Sequence, residues 1–150
     1  MIGSDESSGS TPSRWIPFAA AFIALVGLAD AVYLTVHYYT ATPVPCSIIE
    51  GCETVLTSQY AEYAGVPTAA FGAVAYFAAF SLAILAAYGN RLMWRLFGIQ
   101  AAIMAVVTCW LIYLQAFVIG AFCQFCLISA LTTFLLLILY IISMFRRRLA

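Results

Sequence analysis

The chain has 150 residues, of which 65% are hydrophobic and 8% are charged, and its formal net charge is zero. Soluble domains carry about 25% charged residues, so this composition excludes an ordinary soluble fold and predicts that lipid surrounds most of the chain. The sequence has no lysine and no basic pattern interleaved with aromatic residues, which argues against nucleic acid as a partner.

The first segment, residues 1–14, is rich in serine and glycine and carries Asp5 and Glu6. Because such a composition cannot bury a core, we expect a disordered tail here. The apolar segment that follows is too long for a signal peptide, and no small-residue cleavage site comes before the next polar loop. We therefore interpret it as the first membrane span.

Four apolar segments are long enough to cross a hydrocarbon core of about 30 Å, which takes roughly 20 helical residues. They are residues 15–39, 66–88, 92–119 and 122–145. A polar outer loop, residues 40–65, joins the first two. A single helix over residues 92–145 would be about twice as long as the membrane is thick, so we expect a break near Gly120. The predicted fold is an all-α, integral membrane four-helix bundle over residues 15–145.

The arginines determine the predicted orientation of the bundle. With an even number of spans, all six basic residues fall on one side, and they are Arg14, Arg91, Arg95, Arg146, Arg147 and Arg148. The positive-inside rule places this side in the cytoplasm, with both termini, so that residues 146–150 form a basic cytoplasmic tail. The outer side receives Glu50, Glu53 and Glu62, together with four of the five cysteines.

Two cysteine pairs are predicted to meet on the outer side. Cys123-Gln-Phe-Cys126 is a C-x-x-C motif at the start of the fourth span. The free N–H groups and the dipole at a helix N-terminus stabilise a thiolate there, which lowers the cysteine pKa. The second pair, Cys46 and Cys52, lies in the outer loop. If this loop folds over the bundle, the pairs can exchange disulfides through thiolate attack.

Two other interpretations of the cysteines stay open. The first is two structural disulfides, although a C-x-x-C disulfide closes a very short loop and stabilises little through chain entropy. The second is a zinc site, although five residues separate Cys46 from Cys52, whereas zinc ligand pairs are usually separated by about two to four. Cys109 lies in the middle of span three without a partner, and we interpret it as a small packing residue.

Three polar residues within or near the spans are candidates for function. Asp30 is the only acidic residue inside a span, and a charge in hydrocarbon is costly and marks function by default. It is either a proton-transfer group for a bound cofactor or a buried acid hydrogen-bonded for packing. His37 lies two turns above it, and we interpret it as interfacial. Gln115, near the outer end of span three, either reaches a cofactor or bonds to a neighbouring helix.

A thiol relay needs an electron acceptor, and the sequence contains no haem, flavin or nucleotide motif. Because the C-x-x-C motif lies at the membrane boundary, we expect a lipid-soluble acceptor. A quinone between the helices meets this requirement, since helix bundles form cofactor sites between facing helices.

The order of these motifs carries a family likeness. A cysteine pair in the outer loop is followed by C-E-T-V-L-T-S-Q-Y-A-E-Y-A-G-V-P and Phe71-Gly72 in span two, and C-Q-F-C-L then opens span four. This resembles the vitamin K epoxide reductase family, in its bacterial quinone-reducing branch, over about residues 15–145. The resemblance implies four helices around a quinone and a thioredoxin-like electron donor. Since the chain ends at Ala150 without a fused domain of that kind, we expect a separate donor.

The resemblance also implies a role for each cysteine of the two pairs. Cys46 resembles the loop cysteine that meets the partner, and Cys52 the one that attacks Cys123. Cys126 resembles the cysteine that faces the quinone. Ser58, six residues after Cys52, matches a family serine near the quinone head, where a hydroxyl can hydrogen-bond a developing oxyanion. The alternative for Ser58 is a hydrogen bond between loop and helix.

One position departs from the animal members of the family, which have a tyrosine four residues after the second C-x-x-C cysteine. Here that position is Ala130, so quinone reduction is expected rather than epoxide reduction. The residues expected at the quinone are Ser58, Phe71, Cys126, Asp30 and Gln115. No metal ligand is expected.

The predicted function is a membrane thiol–disulfide oxidoreductase of the bacterial inner membrane. A separate periplasmic, DsbA-like thioredoxin-fold protein passes electrons to the Cys46–Cys52 pair, which reduces Cys123–Cys126. Cys126 then reduces ubiquinone or menaquinone, and the net result supports disulfide bond formation outside the cytoplasm.

Three rival hypotheses lead to different observations. The DsbB family catalyses the same net reaction but has its C-x-x-C in the first outer loop, whereas here that motif comes last. A structural membrane subunit with non-catalytic disulfides predicts cysteines that resist mild reductant. A zinc protein predicts stoichiometric metal.

Overall fold

The computed structural model describes residues 14–149. The tail predicted over residues 1–14 therefore lies, except for Arg14, outside the described residues. The described elements are the helices α1 (Trp15–Thr40), α2 (Cys52–Leu56), α3 (Thr68–Ala87), α4 (Arg91–Tyr113) and α5 (Gln124–Leu149), a π-helical segment (Leu114–Ile119) that continues α4, and the strands β1 (Glu62–Tyr63) and β2 (Val66–Pro67).

The prediction of an all-α membrane bundle is confirmed. Four helical segments are long and apolar enough to cross a membrane, namely α1, α3, α5 and α4 with its π-helical extension. Helix α1 packs against α3 and α5, and α4 packs against the same two helices. Helices α1 and α4 therefore lie diagonally across the bundle. A cavity separates them at the end of the bundle that carries the residue 41–67 segment. We call this end the loop end.

Small side chains allow the helices to approach closely. The α1–α3 contact is built from buried alanines, among them Ala20, Ala24, Ala79 and Ala83. Large apolar side chains cover the outward faces of the four helices, as is expected of helices that contact lipid. With an apolar solvent outside, close van der Waals packing of small residues is what holds such helices together.

The helix break expected near Gly120 is present. Gly120 adopts φ +69°, a left-handed conformation that a glycine tolerates without steric cost. Residues 120–123 contain no helix, and α5 starts at Gln124. Helix α5 continues through Leu149, so the described part of the segment predicted as a basic tail is helical.

The outer loop contains regular secondary structure that the sequence analysis did not predict. It contains the short helix α2 and an antiparallel hairpin in which Glu62 pairs with Pro67 and Tyr63 with Val66. The predicted second span began at residue 66, but residues 66–67 belong to β2 and helix α3 starts at Thr68. A hydrogen bond from the Tyr38 hydroxyl to Glu62 joins the hairpin to the end of α1.

Candidate redox site

The loop cysteines form one half of the site. Cys46 and Cys52 are joined by a disulfide, with their Cα atoms 6.3 Å apart. Cys52 is the first residue of α2 and is buried, whereas Cys46 is only partly buried and its neighbour Ile48 is highly exposed. The disulfide therefore has one sulfur near the surface of the loop and one facing the bundle.

The C-x-x-C cysteines form the other half. Cys123 directly precedes α5 and is fully buried, and Cys126 lies in the first turn of α5 and is partly buried. Both are free thiols. A hydrogen bond from the Cys126 side chain lowers the pKa of Cys123 from its ordinary value of 9.0 to about 7, although burial of Cys123 opposes this effect. This hydrogen bond therefore favours the thiolate form of Cys123.

The structure brings the two cysteine pairs together. Cys52 and Cys123 belong to one buried cluster with Val55, and Cys46 and Cys126 pack against it. The sequence predicted this contact only on the condition that the loop folds over the bundle. The described fold meets that condition, because α2 lies against the π-helical segment.

Two contacts hold the loop against the start of α5. The backbone N–H of Ile48 donates to the side-chain oxygen of Gln124 at 3.1 Å. Gly51, just before Cys52, lies so close to the segment that precedes α5 that a Cβ there would be 2.7 Å from the carbonyl oxygen of Phe122. Only glycine fits at this position without displacing the loop.

A hydrogen bond to Gln115 also holds the C-x-x-C motif. Its side-chain oxygen accepts a hydrogen bond from the backbone N–H of Cys123 at 3.1 Å, and both residues are buried. Gln115 belongs to the π-helical segment. Single turns of π-helix are rare and often occur at functional sites. Of the two alternatives for Gln115, bonding to a neighbouring segment is observed.

A cavity of about 790 Å³ lies next to the cysteines, between the four long helices and below the residue 53–62 segment. This volume is within the range of about 300–1,000 Å³ that is typical of small-molecule sites. The five residues expected at a quinone all line it: Asp30, Ser58, Phe71, Gln115 and Cys126. Of the four paired cysteines, Cys126 alone is among the lining residues.

The polar residues of the cavity differ in their hydrogen bonding. The Oδ2 atom of Asp30 is buried and has no hydrogen-bond partner within the described residues. The Ser58 hydroxyl donates to the carbonyl oxygen of Val55, three residues earlier, at 2.7 Å. His37 also lines the cavity, and its Nδ1 lies 2.9 Å from the Thr42 hydroxyl.

The family model described as "Vitamin K epoxide reductase family" matches residues 18–141. The chain belongs to this family. Membership and the four candidate spans identify the protein as a multi-pass membrane oxidoreductase with redox cysteines. Enzymes of the vitamin K epoxide reductase family act on quinones or quinone-like substrates.

In this member of the vitamin K epoxide reductase family, a buried phenol from α3 contacts the turns of α5 that follow Cys126. The Tyr76 hydroxyl is 2.6 Å from the carbonyl oxygen of Ser129, 2.7 Å from the Thr132 hydroxyl and 2.8 Å from the Thr133 hydroxyl. Tyr76 comes from α3 and lines the cavity. Sequence reasoning missed it, because the search for a phenol considered only the span that contains Ala130.

The remaining cysteine lies apart from the site. Cys109 is exposed on the outer face of α4, where lipid is expected, and it is a free thiol. Within residues 14–149, no group of three or more His, Cys, Asp and Glu side chains is placed to hold a metal ion.

Proposed function

We propose that this protein passes electrons from a reduced thioredoxin-fold protein, through Cys46/Cys52 and then Cys123/Cys126, to a quinone. The net result is the generation of disulfide bonds on the outer side of a bacterial plasma membrane. The observation that carries the proposal is the order of the four sulfurs. They form one packed cluster that begins at the loop surface with Cys46 and ends at the cavity with Cys126.

The first stage is thiol–disulfide exchange at the loop. A donor thiolate attacks Cys46 and releases Cys52 as a thiolate, and the second donor thiol then frees Cys46 and leaves the donor oxidised. Cys52 attacks Cys123 of a Cys123–Cys126 disulfide and releases Cys126. Attack of Cys46 on Cys52 finally restores the loop disulfide and frees Cys123. The described arrangement, with the loop disulfide closed and both C-x-x-C thiols free, corresponds to the product of this stage.

The second stage is oxidation of the C-x-x-C pair. The two thiols lose two electrons and two protons as their disulfide forms. The quinone gains two electrons and two protons and becomes a hydroquinone. Cys126 lines the cavity and Cys123 does not, which supports the proposal that Cys126 faces the quinone. Cys123, whose pKa of about 7 favours a thiolate, bonds to the Cys126 sulfur as an electron pair passes from that sulfur to the quinone, and this closes the disulfide.

The cavity residues suit a quinone head group. Apolar walls, among them Phe71, would hold the ring, and a few polar groups would orient its two oxygens. Because Gln115 uses its oxygen for the Cys123 N–H, its amide nitrogen remains as the donor for a quinone oxygen. The Ser58 hydroxyl already donates to Val55, so its oxygen is free to accept from a hydroquinone hydroxyl.

The loop surface suits a protein donor. Ile48 is 84% exposed and lies two residues from Cys46. We expect this exposed apolar side chain to contact the donor when the donor approaches Cys46. A thioredoxin-fold donor would reach Cys46 here without entering the membrane.

The test is quinone reduction by the purified protein, supplied with a reduced thioredoxin-fold donor and with ubiquinone or menaquinone. We expect quinol formation by the wild type and its loss in Cys126→Ala. The matched control is Cys109→Ala, which removes a lipid-facing cysteine and should retain activity. If neither quinone supports turnover and the cysteines resist mild reductant, the protein is a structural membrane subunit instead.

A further inference from the structure

Asp30 is the only acidic residue within the four long helices. It lies on α1 where this helix meets α3, since a Cβ at Gly72 would be in ordinary contact with the Cβ of the adjacent Ala31. Its Oδ2 atom is wholly buried and, among residues 14–149, has no hydrogen-bond partner. Packing alone does not account for this side chain, because a structural carboxyl would be expected to have its oxygen atoms hydrogen-bonded.

The groups that share the cavity with Asp30 leave it without a permanently positive partner. The charged and titratable groups among them are His37 and Tyr38 from α1, Glu53 from α2, Tyr60 and Glu62 from the hairpin region, Tyr76 from α3 and Cys126 from α5. Helix α4 and the π-helical segment contribute uncharged residues, and no arginine is among the lining residues. A permanently ionised carboxyl group would therefore be uncompensated, which is costly at this depth.

Asp30 is also near enough to the thiols to affect them. A negative charge on Asp30 opposes the Cys123 thiolate and acts to raise the pKa of Cys123. Cys126, the terminal cysteine of the relay, lines the same cavity as Asp30. The carboxyl group and the Cys126 sulfur therefore line the same space, in which a quinone oxygen would gain a proton.

We propose that Asp30 is the proton-transfer group for quinone reduction at this site. The inference rests on the proposed function. Asp30 gives its proton to one quinone oxygen and regains a proton from the Cys126 thiol, so the carboxyl group is unchanged at the end of the reaction. The second quinone oxygen takes a proton from water at the loop end. The Cys123 thiol releases a proton to this water. Two electrons pass from the dithiol to the quinone as the Cys123–Cys126 disulfide forms.

The decisive variant is Asp30→Asn, which keeps the shape of the side chain but cannot carry the proton. The protein is first reduced at Cys123 and Cys126 and is then mixed with a water-soluble ubiquinone analogue in a single-turnover experiment. General acid–base groups typically contribute about 10²–10⁴-fold. We expect quinol formation to slow by roughly 100-fold or more. The KM for the quinone, taken as the quinone concentration that gives half the maximal rate, should change little. Activity should be largely recovered in Asp30→Glu.

The matched control is Thr35→Val, which removes a hydroxyl from the same helix. Thr35 donates to the carbonyl oxygen of Ala31 within α1 and is not among the cavity-lining residues, so its loss should leave the rate unchanged. Exchange between the Cys46–Cys52 pair and Cys123 serves as the measure of folding for Asp30→Asn. We expect this exchange to proceed at about the wild-type rate.

The possible results separate the two proposals. A wild-type rate of quinol formation in Asp30→Asn overturns the role of Asp30 while leaving the relay intact. A slow Asp30→Glu variant also contradicts proton transfer, as does slowing caused only by a raised KM, because each points to binding or packing. If Asp30→Asn loses the loop exchange as well, Asp30 is a structural residue. Absence of quinol formation in the wild type refutes the proposed function itself.

Discussion

The hydrogen bond between Gln115 and the Cys123 N–H gives the sharpest stability prediction. Replacing Gln115 with leucine removes the acceptor and leaves a buried N–H group without a partner. Such a group costs about 1–3 kcal/mol. Since a factor of ten corresponds to about 1.4 kcal/mol, the unfolding equilibrium should shift by roughly 5- to 150-fold.

The free energy of unfolding can be measured by titrating the protein, held in mild detergent, with a denaturing detergent. The Gln115→Leu variant should unfold earlier than the wild type. It should also exchange disulfides between Cys52 and Cys123 more slowly, because the start of α5 is no longer fixed. Gln115→Glu keeps an acceptor of the same length and should retain more of the stability.

Gln100→Leu is the matched control for this prediction. The Gln100 amide donates to the carbonyl oxygen of Ala75 at 3.5 Å, which is at the limit of a hydrogen bond. Its loss should change the stability by less than about 1 kcal/mol. The reasoning is refuted if Gln115→Leu unfolds together with the wild type, or if both glutamine variants lose the same stability.

Three further changes test the site. Cys126→Ala removes the hydrogen bond that lowers the pKa of Cys123, so the pH at which the Cys123 thiolate is half formed should rise from about 7 towards 9.0, measured by thiolate ultraviolet absorbance. Gly51→Ala should slow exchange between the loop pair and Cys123, because its Cβ meets the Phe122 carbonyl. Tyr76→Phe should lower the free energy of unfolding by about 1–3 kcal/mol, because loss of the Tyr76 hydroxyl leaves the buried Thr132 and Thr133 hydroxyls without this partner.

Each of these changes has a contradicting result, and the first two also have a control. The pKa measurement uses a Cys109→Ala background, and an unshifted titration would mean that Cys126 does not set the acidity of Cys123. Ser47→Ala, in the same loop but exposed, should leave the exchange rate unchanged. Equal rates for the Gly51 and Ser47 variants would contradict the close contact, and a Tyr76→Phe variant as stable as the wild type would contradict the role of its hydroxyl.

The bundle was predictable because its signals are long. A span of about 20 apolar residues is set by membrane thickness and needs no knowledge of tertiary contacts. The break at Gly120 follows from the same length argument. Helix ends are less well defined: β2 replaces the predicted start of the second span, and α5 extends four residues beyond the predicted end at residue 145.

The candidate site was predictable where spacing carries chemistry. The position of C-x-x-C at the start of a span indicated a helix N-terminus, and the structure has Cys123 directly before α5. The π-helical segment at Gln115 and the short helix α2 give no comparable signal, because each is only one or two turns long and depends on contacts distant in sequence. Tyr76 was missed for a related reason, since a tyrosine among apolar residues resembles ordinary packing.

The burial of Cys52 and Cys123 has a consequence for the choice of reductant. Both cysteines are almost completely shielded from solvent, and Cys46 is the partly exposed member of the loop disulfide. Small soluble thiols therefore cannot attack Cys52 or Cys123 directly, and a thiol reductant has to enter at Cys46. Discrimination among reductants then depends on the shape of the loop surface around Cys46, because steric exclusion protects the two inner sulfurs.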